Sequence, residues 1–170
     1  VLIEIAPDNL GVFEVSNGNQ LVCSNHFQSD VLKENKRNKD QIKNSHSQYR
    51  FDRLTQLLDE SPKVTPQIAV DLLRNKEGIK NLSLGYGNNK ALNHLLAHHG
   101  IVFQPSKRLV WVSSSPYQLG EFVCYDLNSI FGDRKENESI VSSDKNSVGL
   151  GLSETHSPYK FMGVSLEDKK

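Results

Sequence analysis

Ser47-Gln48-Tyr49-Arg50-Phe51-Asp52-Arg53-Leu54-Thr55-Gln56-Leu57-Leu58-Asp59-Glu60 is the stretch around which the chain can be read. Phe51, Leu54, Leu57 and Leu58 recur at helical spacing, and turning about 100° per residue places them on an arc roughly 120° wide. Arg50 falls inside that arc and Arg53 at its edge, whereas Asp52, Gln56 and Glu60 lie on the other side. The spacing predicts an amphipathic helix with one guanidinium turned toward the core. Burying that group unpaired costs several kcal/mol, so Arg50 either snorkels, pairs with a buried carboxylate, or serves a site.

Upstream, Val1-Leu2-Ile3-Glu4-Ile5 and Leu10-Gly11-Val12-Phe13-Glu14-Val15 alternate as strands of a half-buried sheet do, with Pro7-Asp8-Asn9 as the turn between them. Ser16-Asn17-Gly18-Asn19 carries the Asn-Gly hairpin signal, and Leu21-Val22 then leads into Cys23-Ser24-Asn25-His26-Phe27 at a strand end. The opening reads as an antiparallel meander. Residues 30–47 are polar, with Lys33, Lys36, Arg37, Lys39 and Lys43 among acids and asparagines, and read as a solvated loop or exposed helix.

Downstream, Thr65 as N-cap and Pro66 at the first helical position open a second helix, with Ile68, Ala69, Leu72 and Leu73 as its buried stripe and an end near Asn75. Residues 78–89 read as a glycine-containing loop; Gly85-Tyr86-Gly87 lacks the third glycine and the Lys-Ser/Thr of a phosphate loop. Residues 91–103 read mostly as strand, because Gln104-Pro105-Ser106-Lys107 turns the chain into the strand-prone Leu109-Val110-Trp111-Val112. Glu121-Phe122-Val123-Cys124-Tyr125 follows as another strand, and residues 132–170 read as a polar, loosely packed C-terminal extension. The expected fold class is α+β, antiparallel sheets with flanking helices.

Composition narrows the function. The chain has 170 residues, enough for about one domain, with 20 acidic and 20 basic side chains. Zero formal charge removes the broad attraction that gathers nucleic acid or anionic lipid, so no nucleic-acid partner is expected. No apolar run approaches the length of a membrane span. Cys23 and Cys124 are too few for a disulfide scaffold, although a bridge between them stays open.

Few groupings carry chemistry. His94, His98 and His99 cluster without an acidic neighbour or a spacing that supplies a full ligand set, so no metal and no cofactor is expected. Cys23 lies three residues from His26, which on a strand turns the two to opposite faces. Ser113-Ser114-Ser115 lacks the Gly-x-Ser-x-Gly context of a nucleophile elbow. What remains is Asn25 at a strand end and Arg50 on a helix face.

At these residues the chain resembles a known family. The run Val22-Cys23-Ser24-Asn25-His26-Phe27, the Ser47-x-x-Arg50-Phe51-x-Arg53 element and the Thr65-Pro66 helix are similar, in order and spacing, to the C-terminal half of the acyl-coenzyme A:6-aminopenicillanic acid acyltransferase family. The hairpin from His98-His99-Gly100-Ile101-Val102-Phe103 to Val110-Trp111-Val112 extends the likeness, which covers residues 1–131. These proteins are relatives of the choloylglycine hydrolases among the N-terminal-nucleophile hydrolases. The resemblance implies a four-layer αββα fold and cleavage of a linear amide through a thioester, by a cysteine exposed at a new N-terminus after self-cleavage, whose own α-amino group is the base. Asn25 then matches the oxyanion donor, Arg50 the group that favours the thiolate, and His26 a substrate contact.

Val1 is no nucleophile and neither cysteine is N-terminal, so the expectation is that the chain begins inside a larger protein. Its partners would be a small-molecule amide substrate and the upstream part of the same polypeptide carrying the nucleophile; this piece alone would be inactive. A homo-oligomer stays open, as does a cytoplasmic or extracytoplasmic location, which any upstream signal would decide. Two other readings stand beside this one: a non-catalytic β-rich interaction domain in which Asn25 and Arg50 are structural, and a bile-salt hydrolase with the same chemistry and a different pocket.

Overall fold

In the computed structural model, which describes residues 1–15, 20–114 and 116–131, the alternating opening becomes an antiparallel pair, β1 (Leu2–Ala6) and β2 (Asn9–Phe13). The exposed faces are the reverse of those of a sheet packed on its apolar side. Glu4 is 6% exposed, whereas Ile3 and Ile5 are 61% and 73% exposed, and Leu10 and Val12 across from them are also open. The cause is a hydrogen-bond demand. The Glu4 carboxylate accepts from the backbone N–H groups of Gln28 at 2.7 Å and Ser29 at 2.9 Å. Gly11, its cross-strand partner, leaves the room this needs: a Cβ there would clash with the Ser29 side chain.

The expected third strand of the meander does not form. The hairpin signal at 16–19 lies outside the described residues, and residues 22–27 are irregular because side chains satisfy their backbone. Asn38 accepts from the Phe27 N–H at 2.8 Å and donates to the Phe27 carbonyl at 3.2 Å, while Gln28 Nε2 donates to the Val22 carbonyl at 2.9 Å. Asn38 sits on α1 (Lys36–Asn44), the helix within the polar segment, whose N-cap Asn35 accepts from the Arg37 N–H. Helix α2 (Ser47–Asp59) follows, then α3 (Pro66–Leu73), capped by the Thr65 hydroxyl, which accepts from the Ile68 N–H. The expected stripe on α3 is only half-buried. Val70 is the residue it buries fully.

These elements belong to one compact unit, Val1–Leu96; a second begins at Ala97. The first has a largely polar interior, with Ser29, Asn38, Ser47, Arg53 and Asn93 buried beside Leu32, Val70 and Ala91. The second is a three-stranded antiparallel meander, β3 (Ile101–Gln104), β4 (Leu109–Ser113) and β5 (Phe122–Asp126), followed by the short α4 (Leu127–Phe131). Trp111 lies opposite Val102 and Cys124, in a core shared with Leu109, Leu119 and Phe122. Of the expected 91–103, strand is confined to residues 101–103, the start of β3. The preceding backbone is held by a turn, Ala91 N–H to the Asn88 carbonyl at 3.0 Å, and by a long-range bond, Asn93 N–H to the Asn75 carbonyl at 3.0 Å, and Leu95 adopts φ +61°, which no strand continues through. The polar extension at 132–170 lies outside the described residues.

The molecule is thus mixed α+β, with small antiparallel sheets and helices. No helix among the described residues is long and apolar enough to cross a membrane. Glu4 generates a prediction. Burial raises its pKa, but the hydrogen bonds from Ser29 and Gln28, with the His26 charge, outweigh this and leave it below its ordinary 4.5. Its ionised form therefore stabilises fully above about pH 4.5, and that contribution is lost as pH falls through the lower folded-state value. Glu4→Gln should cost about 1.5–3 kcal/mol in urea unfolding at pH 7. The gap between variant and parent should narrow as pH falls below 4.5; a gap that does not change with pH contradicts the assignment.

Candidate functional site

The segment carrying Asn25 and the first turns of α2 meet in a set of polar contacts. Arg50 Nη2 donates to Asn25 Oδ1 at 3.3 Å, and Arg50 Nη1 donates to the Asn89 carbonyl at 2.7 Å. A guanidinium has only donors, so the face of the Asn25 amide turned to Arg50 is the oxygen. The NH2 group is left pointing elsewhere. Asn25 is exposed, and among the described residues its Nδ2 meets no acceptor. Burial lowers the pKa of the half-buried Arg50, which at neutral pH is a cation all the same.

His26, the next residue, turns the other way. Its Nδ1 lies 2.8 Å from Ser47 Oγ, and its ring meets Phe51 edge-on with centroids 5.5 Å apart. Ser24 Oγ lies 2.9 Å from the same Ser47 hydroxyl and donates to the Ser47 carbonyl at 3.0 Å. Ser47 is fully buried at the start of α2, so one hydroxyl ties both neighbours of Asn25 to the helix that carries Arg50. His26 also lines an open cleft of about 470 Å³ with Phe13, Phe27, Ile42 and Phe51.

The structure brings Asn25 and Arg50 together and places His26 beside them with a different partner. It corrects the identity of the buried guanidinium. Arg50 is half-buried; Arg53, read at the edge of the apolar arc, is 0% exposed. Tyr49 and Gln56 fall within about 60° of Arg53 around the helix, so this polar stripe, not the arc of Phe51, Leu54, Leu57 and Leu58, is the side that closes against another segment. Arg53 donates to Asn75, Gln56 and Asn81 at 3.3, 3.2 and 3.0 Å and pairs with Glu77 at 3.5 Å.

Other groupings recede. Burial and the Glu4 charge push the Cys23 thiol up, with the chain's N-terminal charge opposing, the reverse of what activates a nucleophile. Neither Cys23 nor Cys124 is in a disulfide. Among the described residues no three His, Cys, Asp or Glu side chains gather as a metal site. The sequence reading held Ser24 and Ser47 in its motifs without giving either a role, and it missed Asn89. Ser47 had one signal, its place at the start of the helix; Asn89 contributes a backbone carbonyl, which every residue has. Comparison with protein-family models, with curated proteins and with solved structures finds no match.

Burial lowers the His26 pKa from its ordinary 6.5, and the nearby Asp52 and Glu4 charges only partly offset this. The group is therefore neutral at pH 7, and the stability it contributes is lost as pH falls from 6.5 through the lower folded value. Imidazole NMR should show His26 titrating below 6.5. A midpoint at or above 6.5 contradicts the burial of the ring.

Proposed function

We propose that this chain is the C-terminal portion of a cysteine N-terminal-nucleophile amidohydrolase or acyltransferase, with Asn25 as oxyanion donor and Arg50 beside the reacting thiol. The observation that carries the reading is the Arg50–Asn25 hydrogen bond. By occupying Oδ1, the guanidinium turns an ambidentate amide into an exposed pure donor, the form an oxyanion requires. Arg50 adds a fixed positive charge within one residue's reach of that donor, which favours a thiolate.

The chemistry follows from these roles. A cysteine from the upstream part of the polypeptide passes its proton to its own α-amino group and attacks the amide carbonyl. The C–S bond forms as the carbonyl π bond opens, and the resulting oxyanion is met by Asn25 Nδ2. Collapse breaks the C–N bond, the protonated α-amine delivers its proton to the leaving amine, and a thioester remains for water or another amine to resolve. On this reading the open face of Ile3, Ile5, Leu10 and Val12 is covered by a second sheet from the upstream part, completing a four-layer αββα fold.

That same open face also favours a second reading, a non-catalytic β-rich interaction domain whose partner is another protein. One measurement separates the two. In the full-length protein, Asn25→Ala should lower kcat for amide cleavage by about 10²–10³-fold, the loss of one preorganised oxyanion donor. Turnover within a few-fold of the parent removes the catalytic reading and leaves the interaction domain.

A further inference from the structure

We propose that Arg53 is a positioning residue for the Asn25–Arg50 pair: it fixes residues 75–93 so that the Asn89 carbonyl can hold Arg50, and through Arg50 the flip state of the Asn25 amide. Its catalytic meaning rests on the donor reading of Asn25; the mechanical coupling does not.

Arg50 and Arg53 leave the same helix one turn apart and grip the same returning segment at different points. Arg53 takes its near end. Its Nε bonds the Asn75 side chain, and the Asn75 backbone carbonyl accepts from the Asn93 N–H at 3.0 Å, closing residues 75–93 into a loop. Inside that loop Glu77 bridges Ser83, the Gly78 N–H donates to the Leu82 carbonyl at 2.7 Å, and the Gly85 N–H donates to the Lys76 carbonyl at 3.1 Å. Asn89 lies four residues before the Asn93 closure and is where Arg50 attaches. The loop is an internally tied body with two handles on α2.

The Arg53 handle holds its strained part. Lys80 and Asn81 both adopt left-handed backbone, φ +55° and +58°, a conformation that persists in non-glycine residues only where surroundings enforce it. Here α2 enforces it: Asn81 Oδ1 accepts from Arg53, the Lys80 N–H donates to Gln56 Oε1 at 3.1 Å, and the Ile79 N–H donates to Tyr49 Oη at 3.0 Å. Gln56 Oε1 accepts from Arg53 as well, so one arginine organises both its direct partners and its neighbour's. A cation with 0% exposure cannot relax into solvent when one acceptor is lost; the loop must move instead.

The test is 15N NMR of the guanidinium groups in the 170-residue chain. Hindered rotation keeps the two Arg50 Nη signals distinct while Asn25 and Asn89 are both held. Arg53→Lys keeps the charge and loses the fork; Asn81→Gly removes one acceptor at an exposed position whose φ suits glycine. Thr65→Ala, which weakens the α3 cap, is the control for destabilisation alone. Both test variants should speed Arg50 Nη rotation by about tenfold, the size of one net hydrogen bond, with Thr65→Ala unchanged. If Arg53→Lys does not fold, Asn81→Gly decides alone. Arg50 signals that stay as in the parent in a folded test variant, or that change equally in Thr65→Ala, overturn the coupling. No turnover is measured, so failure here leaves the donor role of Asn25 standing, and a neutral Asn25→Ala leaves the coupling standing.

Discussion

A guanidinium without solvent contact has to be met by acceptors on nearly every edge, and in this molecule Arg53 is that group. Its acceptors come from its own helix and from a segment more than twenty residues away in the chain, Asn75, Glu77 and Asn81. An apolar side chain in its place would tolerate many packings of that segment; a five-donor fork tolerates few. Much of the polar interior of the Val1–Leu96 unit follows the same logic, although the side chains of Ser29 and Asn93 are buried without a hydrogen-bond partner among the described residues. Glu4 closes on two backbone N–H groups, Asn38 on the Phe27 backbone, and Ser47 on His26 and Ser24. Specificity of position comes from paired donors and acceptors, whose loss would leave buried groups unmet.

Asn25 shows what such pairing can accomplish at a surface. A free asparagine amide rotates and offers donor or acceptor alike. Once its oxygen is engaged by a group that can only donate, the nitrogen is the end left to the outside. The same guanidinium is anchored at its other nitrogen by a main-chain carbonyl, so its orientation does not depend on the residue it orients. Held this way, a flexible polar side chain becomes a directional one before any ligand arrives.

Much of the scaffold was legible in the order of residues. The Thr65-Pro66 start, the helix over 47–60 and the hairpin around Gln104-Pro105 follow from local chemistry that tertiary contacts had no reason to override. Where the reading failed, side chains had taken over hydrogen bonds that a strand would supply. Residues 22–27 have the composition of a strand end, but Asn38 and Gln28 claim their backbone. Periodicity put the buried side of the 47–60 helix on its leucines, because hydrophobic pattern cannot show that Arg53 has three distant acceptors waiting, Asn75, Glu77 and Asn81. The inward turn of Glu4 is hidden for the same reason: its partners are N–H groups, present at any residue but proline. For the site itself, the Asn25 and Arg50 pairing was readable as residue types at a spacing; the Asn89 carbonyl was not.

The chain's single tryptophan, Trp111, is 1% exposed in the core of the β3–β5 sheet, outside the Val1–Leu96 unit. Intrinsic indole emission therefore reports on the surroundings of that sheet's core. A denaturation curve followed at tryptophan wavelengths reads the melting of the sheet around Trp111; the segment bearing Asn25, Arg50 and Arg53 needs a probe of its own.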